Sequence, residues 1–257
     1  MEKYMPALVV GRERGLPSVW AIYIIAETAM SSTHLQAAVK LQKKALRNAI
    51  SHRLRQLSPQ SINEQSQAIT ERILSLPSFK SCRSISCYLS MPSAEATTDA
   101  VIHEILSSGK KLYVPKIKTA DGTMDFLRVY SADDIASFLS GKWGIREPGE
   151  LWGEQRRESI LTSPSETLDM ILLPGVAFDR GLSRLGHGKG YYDRFISAYT
   201  SSGRSKPLLV GIGLNEQLLD MNQVPVVDHD WCLDVLVTPR EMIVREDLAD
   251  EQTGDSK

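Results

Sequence analysis

Residues Leu168–Leu173 read LDMILL, and from Leu172 to Phe195 the chain continues LLPGVAFDRGLSRLGHGKGYYDRF. The first run is short and apolar throughout, the pattern of a strand covered on both faces. The second leads through Gly186-His187-Gly188-Lys189-Gly190 into Tyr191-Tyr192-Asp193-Arg194, where a helix is predicted over Tyr191–Tyr199. Three glycines at alternate positions admit backbone conformations closed to other residues. Their N–H groups can then converge on an anion, and the N-terminus of the following helix adds partial positive charge. Arg184 and Lys189 supply cations, and Asp193 supplies a hard oxygen suited to Mg²⁺. The segment thus offers partners for polyphosphate and metal together.

Outward from this stretch, strands and helices alternate. Leu35–Leu57 predicts an amphipathic helix, with Leu35, Val39, Leu46, Ile50, Leu54 and Leu57 at three- and four-residue steps. Ser58-Pro59 is read as its stop, and Ser61-Ile-Asn-Glu64 as a capping box opening a second helix to Leu76. Strands are predicted at Ser84–Ser90, Lys111–Lys116, Met124–Tyr130, Leu208–Leu214 and Val235–Thr238. A further helix is predicted at Thr98–Ser108, with Thr97 or Thr98 as its cap. This order predicts an α/β fold: a three-layer α/β/α single domain with a mostly parallel sheet. Ligands in such sheets sit beyond the carboxyl ends of the strands, where the glycine loop falls. The domain is expected over residues 35–245. Residues 1–34 read as a poorly ordered N-terminal extension, and residues 246–257 as a polar tail.

Composition narrows the function classes. The chain has 257 residues, 42% hydrophobic and 24% charged, with a formal net charge of −1. That is ordinary for a globular domain and gives no basic field to recruit nucleic acid. The three cysteines, Cys82, Cys87 and Cys232, form no C-x-x-C pair, so a reducing, cytoplasmic setting is expected. No apolar run reaches the roughly 20 residues that span a bilayer, and no membrane partner is expected. Val19–Ala29 is the most apolar stretch and is interrupted by Glu27. Met30 reads as an alternative start; a mitochondrial location would follow if the extension were a targeting segment.

The glycine loop is neither of the common phosphate-binding fingerprints. His187-Gly188 stands where a Walker A motif needs Lys-Ser/Thr, and Gly190 comes one residue too early for the dinucleotide pattern. The string LPG-(V/L)-(A/G)-FD followed by RLG-x-G-(K/G)-GYYDR instead resembles the signature of the 5-formyltetrahydrofolate cyclo-ligases, nearly unbroken over Leu172–Arg194. The resemblance implies ATP as co-substrate, Mg²⁺, a reduced folate substrate and a monomeric protein. It implies cyclisation of 5-formyltetrahydrofolate to 5,10-methenyltetrahydrofolate, with ADP and phosphate released.

Several residues carry over by their match to that family. Lys43 and Arg47, four apart in a K-K-x-L-R string, match basic residues that reach ATP from the first helix. Arg184, Leu185, Gly186, His187, Gly188, Lys189, Gly190, Tyr191 and Tyr192 match its nucleotide loop, with Arg184, Lys189 and Tyr191 as the catalytic candidates. Histidine at 187 makes any cationic role there pH-dependent. Asp193 matches a metal aspartate and Asp230 a second acidic position, with Asp228 and Asp234 competing for that place. On the folate side, Leu89, Met91 and Glu95 match a strand-to-loop segment whose glutamate holds substrate. The loop here reads PSAEATT where E-(I/V)-x-T is usual, which leaves the acid's register open by one residue. Trp143 matches an aromatic-Gly-Ile-x-Glu-Pro string and offers a flat stacking surface. Phe178, His187 and Tyr191 complete the expected substrate contacts.

Two other readings stand beside this one. A non-catalytic relative that binds nucleotide or RNA would carry an RNA-recognition string such as K/R-G-F/Y-G/A-F-V-x-F/Y, which the sequence lacks. An ATP-dependent enzyme acting on another small heterocycle fits the same loop.

Overall fold

The computed structural model describes residues 19–118, 123–141 and 144–249, with side chains from His34 onward. It divides into two units, Met1–Leu41 and Gln42–Lys257. The second contains the whole sheet and the site.

Seven strands form the central sheet. Ser84–Cys87 pairs in parallel with Lys111–Ile117 on one side and Met170–Leu173 on the other, with Ile85 opposite Met170. Leu208–Ile212 and Val235–Val237 extend the parallel array beyond Met170–Leu173. Each edge is closed by an antiparallel strand, Met124–Val129 at one end and Met242–Val244 at the other.

The LDMILL run behaves as its composition requires. All four residues of Met170–Leu173 are buried. Met170 and Leu172 enter one apolar layer with Ile69, Ile73 and Ile105 from the helices Pro59–Ser75 and Asp99–Ser107. Ile171 and Leu173 enter the other with Phe195, Ile196 and Tyr199 from the helix Tyr191–Ser201. A strand with helices on both faces must be apolar at consecutive positions, and the three-layer arrangement follows.

Some local expectations are corrected. The first helix runs Val19–Leu54, not Leu35–Leu57. The backbone is therefore helical through residue 34. Pro59 does not merely stop that helix but occupies the first turn of the next. Proline needs no N–H donor at that position. Ser58, not Ser61, is the cap, its hydroxyl accepting from the Ser61 N–H at 3.1 Å. Thr98 flanks its helix without a side-chain cap bond; its hydroxyl donates to the Tyr88 carbonyl instead, at 2.8 Å. Residues 1–18, Trp143 and the tail from residue 250 lie outside the described residues.

Connections from Ser84–Cys87 lead toward one edge of the sheet, and those from Met170–Leu173 lead toward the other. Their carboxyl ends thus diverge at a topological switch point, where open α/β sheets hold their ligands.

Candidate active site

A cleft of about 290 Å³ opens at that switch point. One wall follows Ser84–Cys87 and carries Tyr88, Leu89, Met91 and Glu95. The opposite wall follows Met170–Leu173 and carries Pro174, Arg184, Gly186, His187 and Lys189. Gly190, Tyr191, Tyr192 and Asp193, at the start of the helix Tyr191–Ser201, also line the cleft. Pro115, Ile117, Met124, Ile145 and Glu147 complete the lining.

The glycine loop is shaped for its place. Gly188 and Gly190 have φ of +90° and +63°, a region side chains disfavour. Gly190 directly precedes the helix Tyr191–Ser201, whose first-turn amides have no partner within the helix. The Arg47 Nε–H donates to the Gly186 carbonyl at 2.7 Å, and the Arg194 guanidinium donates to the Lys189 carbonyl. Arginines thus hold the loop's carbonyls from both sides, while the Lys189 side chain stays exposed.

Arg184 is buried and multiply held. It donates to Asp193 at 3.0 Å and to the Pro174 carbonyl at 3.3 Å, and its guanidinium lies 5.6 Å from the centre of the Tyr192 ring. Its Nε has no hydrogen-bond partner among the described residues. The other Asp193 oxygen accepts from the Trp231 N–H at 3.1 Å. Asp230, one residue earlier, accepts from Lys43 and, at 2.9 Å, from the Val227 N–H, both through Oδ2. The two sequence-matched aspartates are therefore joined through one peptide unit, each already facing a cation. Asp234 is elsewhere: it is buried and bound to Lys206, to Arg245 and to the Leu209 N–H. That makes it a structural anion. Asp228 is exposed.

Glu95 is only 6% exposed, and its Oε2 accepts from the Met91 N–H at 2.9 Å. Burial raises its pKa from the usual 4.5 to about 7, with the Met91 N–H pulling the other way. Tyr88 and Tyr192 are likewise pushed above the ordinary tyrosine value, by desolvation first and the Glu95 charge second. His187 is held below the ordinary histidine value by partial desolvation and then by Arg47 and Arg184.

Leu89, Met91, Glu95, Arg184, Gly186, His187, Lys189, Gly190, Tyr191, Tyr192 and Asp193 come together around the cleft. Gly188 faces Arg47 instead: a Cβ there would lie 3.2 Å from the guanidinium carbon. Arg47 sits one contact further out, on the Gly186 carbonyl, and Lys43 pairs with Asp230 outside the cleft lining. Two expectations are corrected. Phe178 is fully buried in the core, where a Cβ on Gly175 would come within 2.6 Å of its ring; it does not line the cleft. Leu185 is also in the core, its carbonyl accepting from the Val176 N–H at 2.7 Å.

Sequence reasoning passed over Tyr88, Pro174, Pro115, Ile117, Met124, Ile145 and Glu147 as lining residues. Ile145 and Glu147 belong to the same Gly-Ile-x-Glu-Pro string that singled out Trp143, so a signal for them was present. Asp179 was quoted only as part of a motif. It is fully buried, and its carboxylate accepts from the N–H groups of Gly181, Ser183 and Val224 at 2.9–3.1 Å. It ties the turn that leads into the loop.

A buried carboxyl and a cation-rich glycine loop share one cleft at the switch point of this α/β sheet, the place where enzymes of this architecture hold their ligands. The chain belongs to the 5-formyltetrahydrofolate cyclo-ligase family, whose model matches residues 39–239. It is 36% identical over 210 residues to the "Probable 5-formyltetrahydrofolate cyclo-ligase" of Schizosaccharomyces pombe, covering 80% of this chain and 98% of that one. It is 30% identical over 237 residues to the "5-formyltetrahydrofolate cyclo-ligase, mitochondrial" of Arabidopsis thaliana, covering 88% and 84%. The solved 5,10-methenyltetrahydrofolate synthetase of Aquifex aeolicus superposes with a TM-score of 0.61 at 31% identity, over 79% of this chain and 92% of that one.

Proposed function

We propose that this protein uses ATP and Mg²⁺ to convert 5-formyltetrahydrofolate into 5,10-methenyltetrahydrofolate, ADP and phosphate. The observation that carries this reading is the sharing of one cleft by an anion-binding loop and a buried carboxyl. Polyphosphate takes the Gly186–Gly190 loop, with Lys189 and Arg184 beside it and Lys43 and Arg47 approaching from the first helix. The pterin takes the space against Glu95, Leu89 and Met91, where an ionised Glu95 accepts from its N–H groups.

In this scheme the formyl oxygen attacks the γ-phosphorus and ADP leaves. The N5 electron pair moves into a C=N bond, giving an iminium carbon that bears the phosphate. N10 attacks that carbon and loses its proton, and the C–O bond breaks as phosphate departs. The protein's part is placement and charge neutralisation. Arg184 and Lys189 oppose charge on the transferring group. The low-lying pKa of His187 keeps it neutral at pH 7, so it acts as a hydrogen-bonding group and not as a fixed cation.

The residues fit Mg²⁺ carried on a polyphosphate. Asp193 and Asp230 supply hard oxygens from adjoining positions, and Asp230 Oδ1 keeps no hydrogen bond among the described residues. No cluster of three or more metal-ligating side chains occurs among those residues, which suits an ion that keeps water and phosphate as its other ligands. Asp193 and Asp230 would hold the ion, which would supply neutralisation of phosphate charge.

The protein acts as a monomer in this reading, and the Arabidopsis relative supports a mitochondrial location as one alternative to the cytoplasm. Growth of methenyltetrahydrofolate absorbance on mixing protein, MgATP and 5-formyltetrahydrofolate tests the reaction. Absence of that signal with stoichiometric, folded protein would overturn it.

A further inference from the structure

Pro174, Gly175 and Val176 connect the strands Met170–Leu173 and Ala177–Asp179. Pro174 lines the cleft, and its carbonyl accepts from Arg184 Nη1 at 3.3 Å. The next two carbonyls, of Gly175 and Val176, belong to buried residues outside both strand ladders. Both accept from a single side-chain amide, Gln217 Nε2, at 2.6 Å and 3.3 Å. We infer that Gln217 is a positioning residue for ATP use: it fixes the Pro174 turn, whose carbonyl in turn holds the Arg184 guanidinium in place. The inference rests on the phosphate role proposed above for Arg184.

Gln217 is buried, and its side chain is itself held. Oε1 accepts from the Leu214 N–H at 2.8 Å, and the Gln217 backbone N–H donates to the Leu214 carbonyl at 3.0 Å. Asn215, in the same turn, donates its N–H to Gln65 Oε1 at 2.9 Å, which ties the turn to the helix Pro59–Ser75. The amide thus has both its donors and its acceptor engaged. A position that needed only volume would be met by leucine or methionine. A buried amide serving two adjacent carbonyls fixes their direction as well, because a buried carbonyl left without a donor is costly. That direction reaches the site through one side chain. The Arg184 Nη1 that donates to Pro174 also stands 3.0 Å from where a Cβ on Gly186 would lie, and Nη2 donates to Asp193 at 3.0 Å. A turned Pro174 carbonyl would therefore displace a cation packed against the glycine loop.

The test is a double-mutant cycle on ATP kinetics at saturating 5-formyltetrahydrofolate. Gln217→Met keeps the volume and removes all three side-chain bonds. Arg184→Lys keeps a cation and removes the fork that reads the Pro174 carbonyl. Gln217→Met should lower kcat/KM for ATP about tenfold with the folate KM little changed, a split that a general loss of stability does not produce. In the Arg184→Lys background the same change should cost less than about threefold, because the contact it acts through is already gone. Wild-type ATP kinetics in folded Gln217→Met, or an equal loss in both backgrounds, overturns the inference and leaves the reaction standing. Should Gln217→Met fail to fold, Gln217→Glu takes its place. Its protonated form keeps a donor, while its ionised form turns a charge on both carbonyls. Its kcat/KM for ATP relative to wild type should fall from pH 6 to pH 9, and a constant ratio overturns the inference. Absence of turnover in wild type overturns the reaction and the inference together.

Discussion

The Nε–H of Arg47 donates to the carbonyl of Gly186 at 2.7 Å, joining residues 139 apart in sequence. Arg47 therefore does two things. It brings a cation to the glycine loop, and it fixes the backbone that shapes that loop. Gly188 packs on the same guanidinium, with φ of +90° and a virtual Cβ 3.2 Å from Cζ. Gly188→Ala should thus be strained twice, by backbone conformation at about 1–2 kcal/mol and by displacing Arg47. The expected result is a kcat/KM for ATP reduced about tenfold or more, with the folate KM nearly unchanged. Arg47→Lys should recover the charge but not the loop, because an ammonium lacks the planar fork. Steady-state kinetics with each substrate varied in turn decides it.

The two cations proposed to act in catalysis should separate by where they sit. Lys189 is exposed and its side chain stabilises little, so Lys189→Ala should lower kcat/KM for ATP by roughly 10- to 100-fold, the scale of one charge-assisted contact. Its thermal midpoint should hold. Arg184 is buried, with 4% of its side chain exposed, and bonded to Asp193. Arg184→Ala should damage activity and also lower the midpoint, since it leaves a part-buried carboxylate without its partner. A normal midpoint for Arg184→Ala would show that the Asp193 pair contributes no stability.

Much of this site was legible because its chemistry lies in one continuous string. Arg184 to Asp193 carry glycine, cation and carboxylate within ten positions, and one helix N-terminus gathers them. The alternation of LDMILL with helical segments likewise carried the three layers. Part of the cleft lining had no such signal. Pro115, Ile117 and Met124 are apolar residues on strand ends, indistinguishable in sequence from core. Only the pairing of Lys111–Ile117 beside Ser84–Cys87 brings them to the cleft. Phe178 misled for the opposite reason. It stands inside the motif, but the glycines that receive its ring, Gly175, Gly211 and Gly213, lie partly in another strand and its exit, so its burial was invisible locally. Ser58-Pro59 marked a helix boundary correctly while its direction was misread.

Glu95 should give the protein a distinctive pH response. Its folded pKa, about 7, lies above its ordinary 4.5 because burial disfavours the charge. Between those values the native state holds more protons than the unfolded state, so stability falls as pH rises through that window and levels off above it. Glu95→Gln should remove this slope, which is worth roughly 3 kcal/mol at most for a shift of that size. Urea midpoints at pH 5 and pH 8 test it, and parallel slopes for the two proteins would count against a buried, proton-holding Glu95. Folate binding should respond in the opposite sense. The ionised carboxylate is the acceptor the pterin needs, so the folate KM should fall from pH 6 to pH 8 in wild type and stay flat in Glu95→Gln.

The last expectation concerns the aspartates. Asp193 and Asp230 adjoin through the Trp231 amide, and each faces a cation, Arg184 and Lys43. In the proposed reaction those oxygens would hold a Mg²⁺ ion carried on polyphosphate. Asp193→Asn and Asp230→Asn should each raise the Mg²⁺ concentration for half-maximal rate, with the folate KM little changed. Asp228→Asn, at an exposed side chain, should not. Asp234→Asn should behave differently from all three. Its carboxylate is buried between Lys206 and Arg245 and accepts from the Leu209 N–H, so its loss should lower the thermal midpoint without shifting the Mg²⁺ curve of the protein that remains folded. A Mg²⁺ titration of the four variants beside their melting curves separates these roles. Should Asp230→Asn leave the titration unmoved while Asp193→Asn shifts it, Asp230 serves to hold Lys43 and the metal leans on Asp193, phosphate and water.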